Sequence, residues 1–170
     1  MSLRVSLYKE ILQKKDELEE ARKNGKKVKE TDLPQMAVGC EYDGIERCGF
    51  SSHSKHVKRP DKRYPFKPLL EKELKAQGQN IPQLPCVIWK KKRKPVCDIR
   101  TGEVIRYKKE VEKFFGTCAE DNAANCILYD MNPGQSIRTL KEIRFVHPVR
   151  TRTLKRERMC VVCRNIFIEP

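Results

Sequence analysis

Histidine and aromatic side chains are scarce in this 170-residue chain, which has three His, one Trp, and 7% Phe, Trp and Tyr together. There is no H-E-x-x-H hydrolase pattern, no glycine-rich phosphate loop and no Ser or Cys nucleophile motif. Long apolar runs are missing too, and no stretch approaches the roughly 20 residues that a membrane-crossing helix requires. The opening MSLRVSLYKE introduces charge before any apolar segment is long enough for a signal peptide, so the chain is expected to be intracellular, either nuclear or cytoplasmic. In such a compartment its eight cysteines are expected to be metal ligands or free thiols rather than disulfides. A catalytic zinc would need an open coordination position and a carboxylate beside it. Without such a motif the chain reads as non-enzymatic.

Positive charge, by contrast, is abundant. There are 37 Lys and Arg against 23 Asp and Glu, a formal net charge of +14. That excess calls for a polyanionic partner, most simply nucleic acid. Its distribution is uneven: residues 86–116 hold ten basic against four acidic residues, and residues 136–170 hold nine against three. Between them, residues 117–135 have three acids and no Lys or Arg, and read as an acidic loop.

The cysteines and histidines fall into two constellations. In Gly39 to His56, the residues Cys40, Cys48, His53 and His56 flank a tight turn at Asp43-Gly44, a spacing compact enough for a tetrahedral zinc knuckle. Cys-x7-Cys-x4-His-x2-His resembles the Cys-Cys-Cys-His fingers that bind single-stranded RNA. His53 stands where the third Cys of that pattern would be, and the last interval is one residue short. The second constellation is Cys118, Cys126, Cys160 and Cys163. Cys160-x2-Cys163 is its specific half, because such a loop turns two thiolates toward one metal. Four thiolates would tie the acidic loop to the C-terminus around a structural zinc. Cys86 and Cys97 compete for these positions or are buried apolar thiols. The terminal MCVVCRNIFIEP also resembles the opening of a RING finger, but a RING requires further ligands beyond Pro170.

Three units are expected along the chain. Residues 1–33 comprise an amphipathic helix and linker. The helix runs from about Ser6 to Asn24 on Leu7, Ile11 and Leu18 and stops at Gly25. Its narrow stripe fits either docking on a partner or folding back on its own domain. Residues 34–85 hold the knuckle, a basic proline-rich extension with Lys58, Arg59, Lys62, Arg63 and Tyr64, and a short helix from Leu69 to Gln77 that Pro68 opens. Residues 86–170 form a basic α+β unit. It begins with a strand at Cys86 to Trp89 and the block Lys90, Lys91, Lys92, Arg93, Lys94, which resembles a nuclear-localisation signal and equally suits a phosphate-binding arm. A hairpin around Arg100 to Glu103, a helix from Lys108 to Phe115 and a turn at Asn132-Pro133-Gly134 follow. Ser136 to Val146 begins like a helix and ends like a strand.

Taken together, the sequence predicts an α+β protein stabilised by two structural zinc ions within a nucleoprotein assembly. RNA is expected ahead of DNA, with phosphates held by Lys58 to Tyr64, Lys90 to Lys94, and Arg150, Arg152, Lys155, Arg156 and Arg158. Other proteins of the assembly are expected partners; a membrane and a small-molecule substrate are not. The rival expectation is a scaffold subunit, for example of a capsid, docking through the N-terminal helix.

Overall fold

The computed structural model describes residues 2–29, 32–51, 68–79, 87–91, 96–97, 104–105, 108–112 and 116–170. In chain order its elements are α1 (Leu3–Lys23), β1 (Met36–Tyr42), β2 (Ile45–Phe50), α2 (Pro68–Ala76), β3 (Val87–Lys91), β4 (Val96–Cys97), β5 (Val104–Ile105), β6 (Lys108–Glu112), α3 (Ala119–Asp130), a 3-10 turn (Leu140–Glu142), β7 (Arg144–Phe145), β8 (Val149–Arg150) and α4 (Val161–Ile166). Helices and small antiparallel sheets make it an α+β protein.

Asp43 and Gly44 both take positive φ, 49° and 79°. Two successive left-handed residues make the tight turn whose twist matches an antiparallel hairpin. β1 and β2 accordingly pair from Tyr42↔Ile45 to Ala37↔Phe50. The opposite edge of β1 is shared by two short strands, with Cys40 opposite Phe145 of β7 and Ala37 opposite Val149 of β8. β1 is therefore the central strand, and four of its seven residues are buried.

Alternation along β1 and β2 sends successive side chains to opposite faces, and a helix covers each face. On one, Leu7 and Ile11 of α1 pack with Ala37 and Val149, beside Cys48, Phe50 and Val146. Of the two roles open to the N-terminal helix, its buried residues serve the one within its own domain. On the other face, Val38 and Cys40 join Ala119, Ala123, Ala124 and Ile127 of α3, together with Leu70 and Leu74 of α2 and Met159, Val162, Ile166 and Phe167 around α4. Residues from both sides of position 85 share this core.

Gly49 fixes how closely α3 approaches. A Cβ there would stand 2.2 Å from the Ala119 carbonyl oxygen and 2.5 Å from the Ala123 nitrogen, so only glycine lets the first turn of α3 lie against β2. Asn122 locks the same contact, its amide donating to the Phe50 carbonyl at 2.6 Å.

Two segments differ from expectation. Residues 117–135 contain α3 rather than an acidic loop. From Thr117 to Met131 there is no Gly or Pro, but three of the six buried residues of the helix are alanine, which helix formation favours and hydrophobic patterning underweights. Lys108 to Glu112 is strand β6 rather than the start of a helix, and it pairs with β3 from Val87↔Glu112 to Lys91↔Lys108. Non-local pairing overrides weak helix periodicity over so few residues. The expected hairpin is present as β4 against β5.

Candidate metal centre

Two helix starts meet in the core beside β1. Cys118 is the N-cap residue of α3, and Cys160 is the N-cap residue of α4, with Cys163 in its first turn. Their three sulfurs lie within 4.8 Å of one another. Cys118 Sγ is 3.3 Å from Cys160 Sγ, which is 3.4 Å from Cys163 Sγ. Metal–sulfur bonds of about 2.3 Å at tetrahedral angles would set sulfurs roughly 3.8 Å apart, so slight expansion of this triangle accepts an ion. The Cys163 backbone N–H donates to Cys160 Sγ at 3.4 Å, placing a donor at one thiolate.

Without a cation, the cluster resists ionisation. The Cys118 thiol is held well above its ordinary range, first by its hydrogen bond with Cys160. Cys163 is raised chiefly by complete burial, then by its sulfur neighbours. A bound dication reverses this balance, because it pairs with all three thiolates at once. The donor set and its spacing therefore fit a thiophilic ion such as zinc.

Two carboxylates are buried in the first turn of α3, which Cys118 caps, Glu120 at 5% exposure and Asp121 at 0%. Asp121 Oδ2 accepts the Gly116 N–H at 2.8 Å, and the side chain also accepts the Cys118 N–H. It thereby caps α3 from its third position and fixes the backbone of a ligand residue. Cys163 Sγ stands 3.9 Å from Asp121 Oδ1. Burial, then the charge of Glu120, then Cys160, push the Asp121 carboxyl up to about 7 from 3.8.

The remaining sulfurs are elsewhere. Cys126, expected as the fourth ligand, is exposed on α3 and is not one of the clustered thiols. Cys40 belongs to the α3-side core and Cys48 packs with the α1-side cluster. The hairpin pleat thus sends the two knuckle cysteines to opposite faces rather than toward one ion. His53 and His56 lie outside the described residues, as does Cys86, whereas Cys97 is in β4. Among the described residues no fourth side chain completes the Cys118–Cys160–Cys163 group.

Of the expected phosphate contacts, Arg150 pairs with Glu157, and Arg152, Lys155, Arg156 and Arg158 are exposed along the same segment. Lys90 and Lys91 are in β3, whose register sets Lys90 opposite Lys109 and Lys91 opposite Lys108. Lys58, Arg59, Lys62, Arg63, Tyr64, Lys92, Arg93 and Lys94 lie outside the described residues.

Glu120 and Asp121 are the site residues that the sequence reading missed. Their signal was the triplet Cys118-Ala119-Glu120 taken together with Cys160-x-x-Cys163, a carboxylate two positions from one ligand and a remote pair of thiols. No helix of the described structure is long and apolar enough to cross a membrane. No known protein family, characterised protein or solved structure matches this chain.

Proposed function

We propose that this protein is a zinc-dependent hydrolytic deaminase acting on nucleobases. The observation that carries the reading is the three-thiolate cluster at two helix starts with the buried Glu120 two residues from Cys118. Structural zinc sites are closed by four protein ligands, whereas catalytic ones hold three and keep a position for water. Zinc nucleobase deaminases use such a set, either three cysteines or one histidine and two cysteines, with a Glu that is not a ligand, in the order H-x-E then P-C-x-x-C. Here Cys118 occupies the His position, and Met159 stands where that pattern has Pro.

When bound, zinc supplies Lewis acidity and makes a coordinated water acidic enough to act near neutral pH. The chain's own part falls to Glu120. Its carboxylate would take one proton from the attacking water and give it to the ring nitrogen, then pass the proton left on the new hydroxyl to the departing amino group. The water oxygen replaces the amino nitrogen on the ring carbon and ammonia leaves, so no oxidant or reductant is needed. Asp121 is a positioning residue that holds the Cys118 backbone and the start of α3.

The charge of +14 supports bases carried in a nucleic acid, RNA ahead of DNA, as the substrate. Docking as a scaffold subunit through α1 has less to rest on, since Leu7 and Ile11 are spent on the chain's own sheet.

The test is incubation of zinc-loaded protein with nucleosides and with single-stranded RNA and DNA, reading ammonia release and base identity. Glu120→Gln should keep the metal and lose at least about 100-fold in rate. If wild type and Glu120→Gln release equal, background ammonia from every substrate, the deaminase reading is lost and a purely structural zinc in a nucleoprotein component takes its place.

A further inference from the structure

A second feature lies on the far side of α4 from its cysteine-bearing start. A cavity of about 330 Å³ opens between the end of α2, the segment around the 3-10 turn, and the C-terminal half of α4. Its polar lining comes from Gln77, Gln79, Arg138, Thr139, Lys141 and Asn165, and no Asp or Glu contributes.

The orientation of Gln77 makes this lining informative. Its Oε1 accepts the Leu140 N–H at 3.2 Å, which ties the end of α2 to the 3-10 turn. That bond commits the carbonyl end, and leaves Nε2 buried with no acceptor among the described residues. A buried donor without a partner is unfavourable, so the site favours a ligand oxygen that the Gln77 amide can turn to meet. Arg138 and Lys141 add two cations at the same cavity, both exposed at its mouth. A buried amide donor, a guanidinium and an ammonium around a space free of carboxylates form a donor set for a multiply charged oxyanion.

We propose that this cavity is a phosphate-binding subsite. Arg138 supplies planar paired donors, Lys141 supplies a point charge, and Gln77 Nε2 supplies the inner hydrogen bond. The phosphate comes either from a free phosphorylated molecule or from the backbone of a nucleic-acid strand, and the two sources differ in how their binding responds to salt. This inference stands on its own geometry and survives failure of the deaminase reading, since binding is measured without turnover.

The experiment uses the full-length, zinc-loaded chain with two probes, inorganic phosphate and a single-stranded oligonucleotide, each titrated over a range of salt concentrations. Replacing Arg138 and Lys141 with alanine should weaken binding at least tenfold. Loss on both probes identifies a general phosphate site. Loss on the oligonucleotide alone, with the log–log salt slope falling by about 0.7 for each phosphate released, identifies a strand-tracking subsite. Gln77→Glu retains the oxygen that caps Leu140 but replaces the inner donor with a repelling carboxylate oxygen. It should weaken binding to a similar degree in protein that circular dichroism shows to be folded, with some loss of unfolding temperature from the buried carboxylate. Unchanged affinity for both probes in the double variant overturns the proposal. So does a double variant that weakens while a folded Gln77→Glu binds like wild type, because the cavity is then not where the anion sits.

Discussion

At the scale of single residues, the proposed centre depends on two neighbouring acids with different tasks. Asp121 spends its oxygens on the Gly116 and Cys118 amides. Asp121→Asn places an amide N–H against those donors and should weaken zinc affinity about 10–100-fold, measured by competition with a chromophoric chelator. Glu120→Gln should leave zinc affinity near wild type; equal loss in the two variants would show that Glu120 also serves only to hold the site. Glu120 stands out only when Cys118-Ala119-Glu120 is set beside the remote Cys160-x-x-Cys163, and Asp121 not at all, because carboxylates are common and burial is invisible until α3 is placed on its sheet. The cysteines were legible as candidate ligands, but only three of the four thiols chosen for this cluster meet.

Cys48 offers an independent check on the α1 side of the sheet. Burial first, then Glu10 and Glu46, push its thiol up to about 11 from 9.0. The folded state therefore prefers the neutral thiol more strongly than the unfolded chain does. That contribution is fully present below the unfolded value near 9.0 and is lost as pH rises through about 11. Urea unfolding of zinc-loaded protein should show declining stability over that window, and Cys48→Ala should make the decline shallower. A variant curve parallel to wild type would place Cys48 outside the packed interior.

At the scale of elements, the decisive contact is between β2 and the first turn of α3. Because a Cβ at Gly49 would overlap the Ala119 carbonyl, Gly49→Ala must push the helix start outward and carry Cys118 with it. The expected cost is about 1–3 kcal/mol of stability, accompanied by weaker zinc binding. Destabilisation with unchanged metal affinity would mean that α3 and the thiol cluster are not mechanically joined. The hairpin turn was readable from Asp43-Gly44 because its chemistry is local. β1 itself was not, since it is buried on both faces and pairs at its far edge with strands more than a hundred residues away. α3 escaped for the opposite reason, being built on alanines that carry little hydrophobic signal. The short helix α2 was plain from Pro68 and Gly78, which bracket it with local backbone constraints.

At the scale of the whole molecule, the positive charge and the metal centre meet in one expectation. If bases are deaminated within a strand, affinity should fall linearly with salt on double-logarithmic axes. Alanine at Lys90, Lys91, Lys92, Arg93 and Lys94 should flatten that slope without altering zinc content. A salt-independent affinity would point instead to a protein partner held by apolar contact. The net charge was legible from composition alone, but the assembly of Cys118, Cys160 and Cys163 is a property of the complete fold, joining positions 42 and 45 residues apart through two helix starts. The most direct test of an open three-thiolate centre is zinc-edge X-ray absorption of the purified protein, recorded for wild type and for His53→Ala/His56→Ala. An open centre gives three sulfurs and one exchangeable oxygen donor at the Cys118–Cys160–Cys163 ion, with the same shell in the histidine variant. Four sulfurs, or a light donor that disappears with His53 and His56, would show a site closed by the chain itself and contradict a catalytic role.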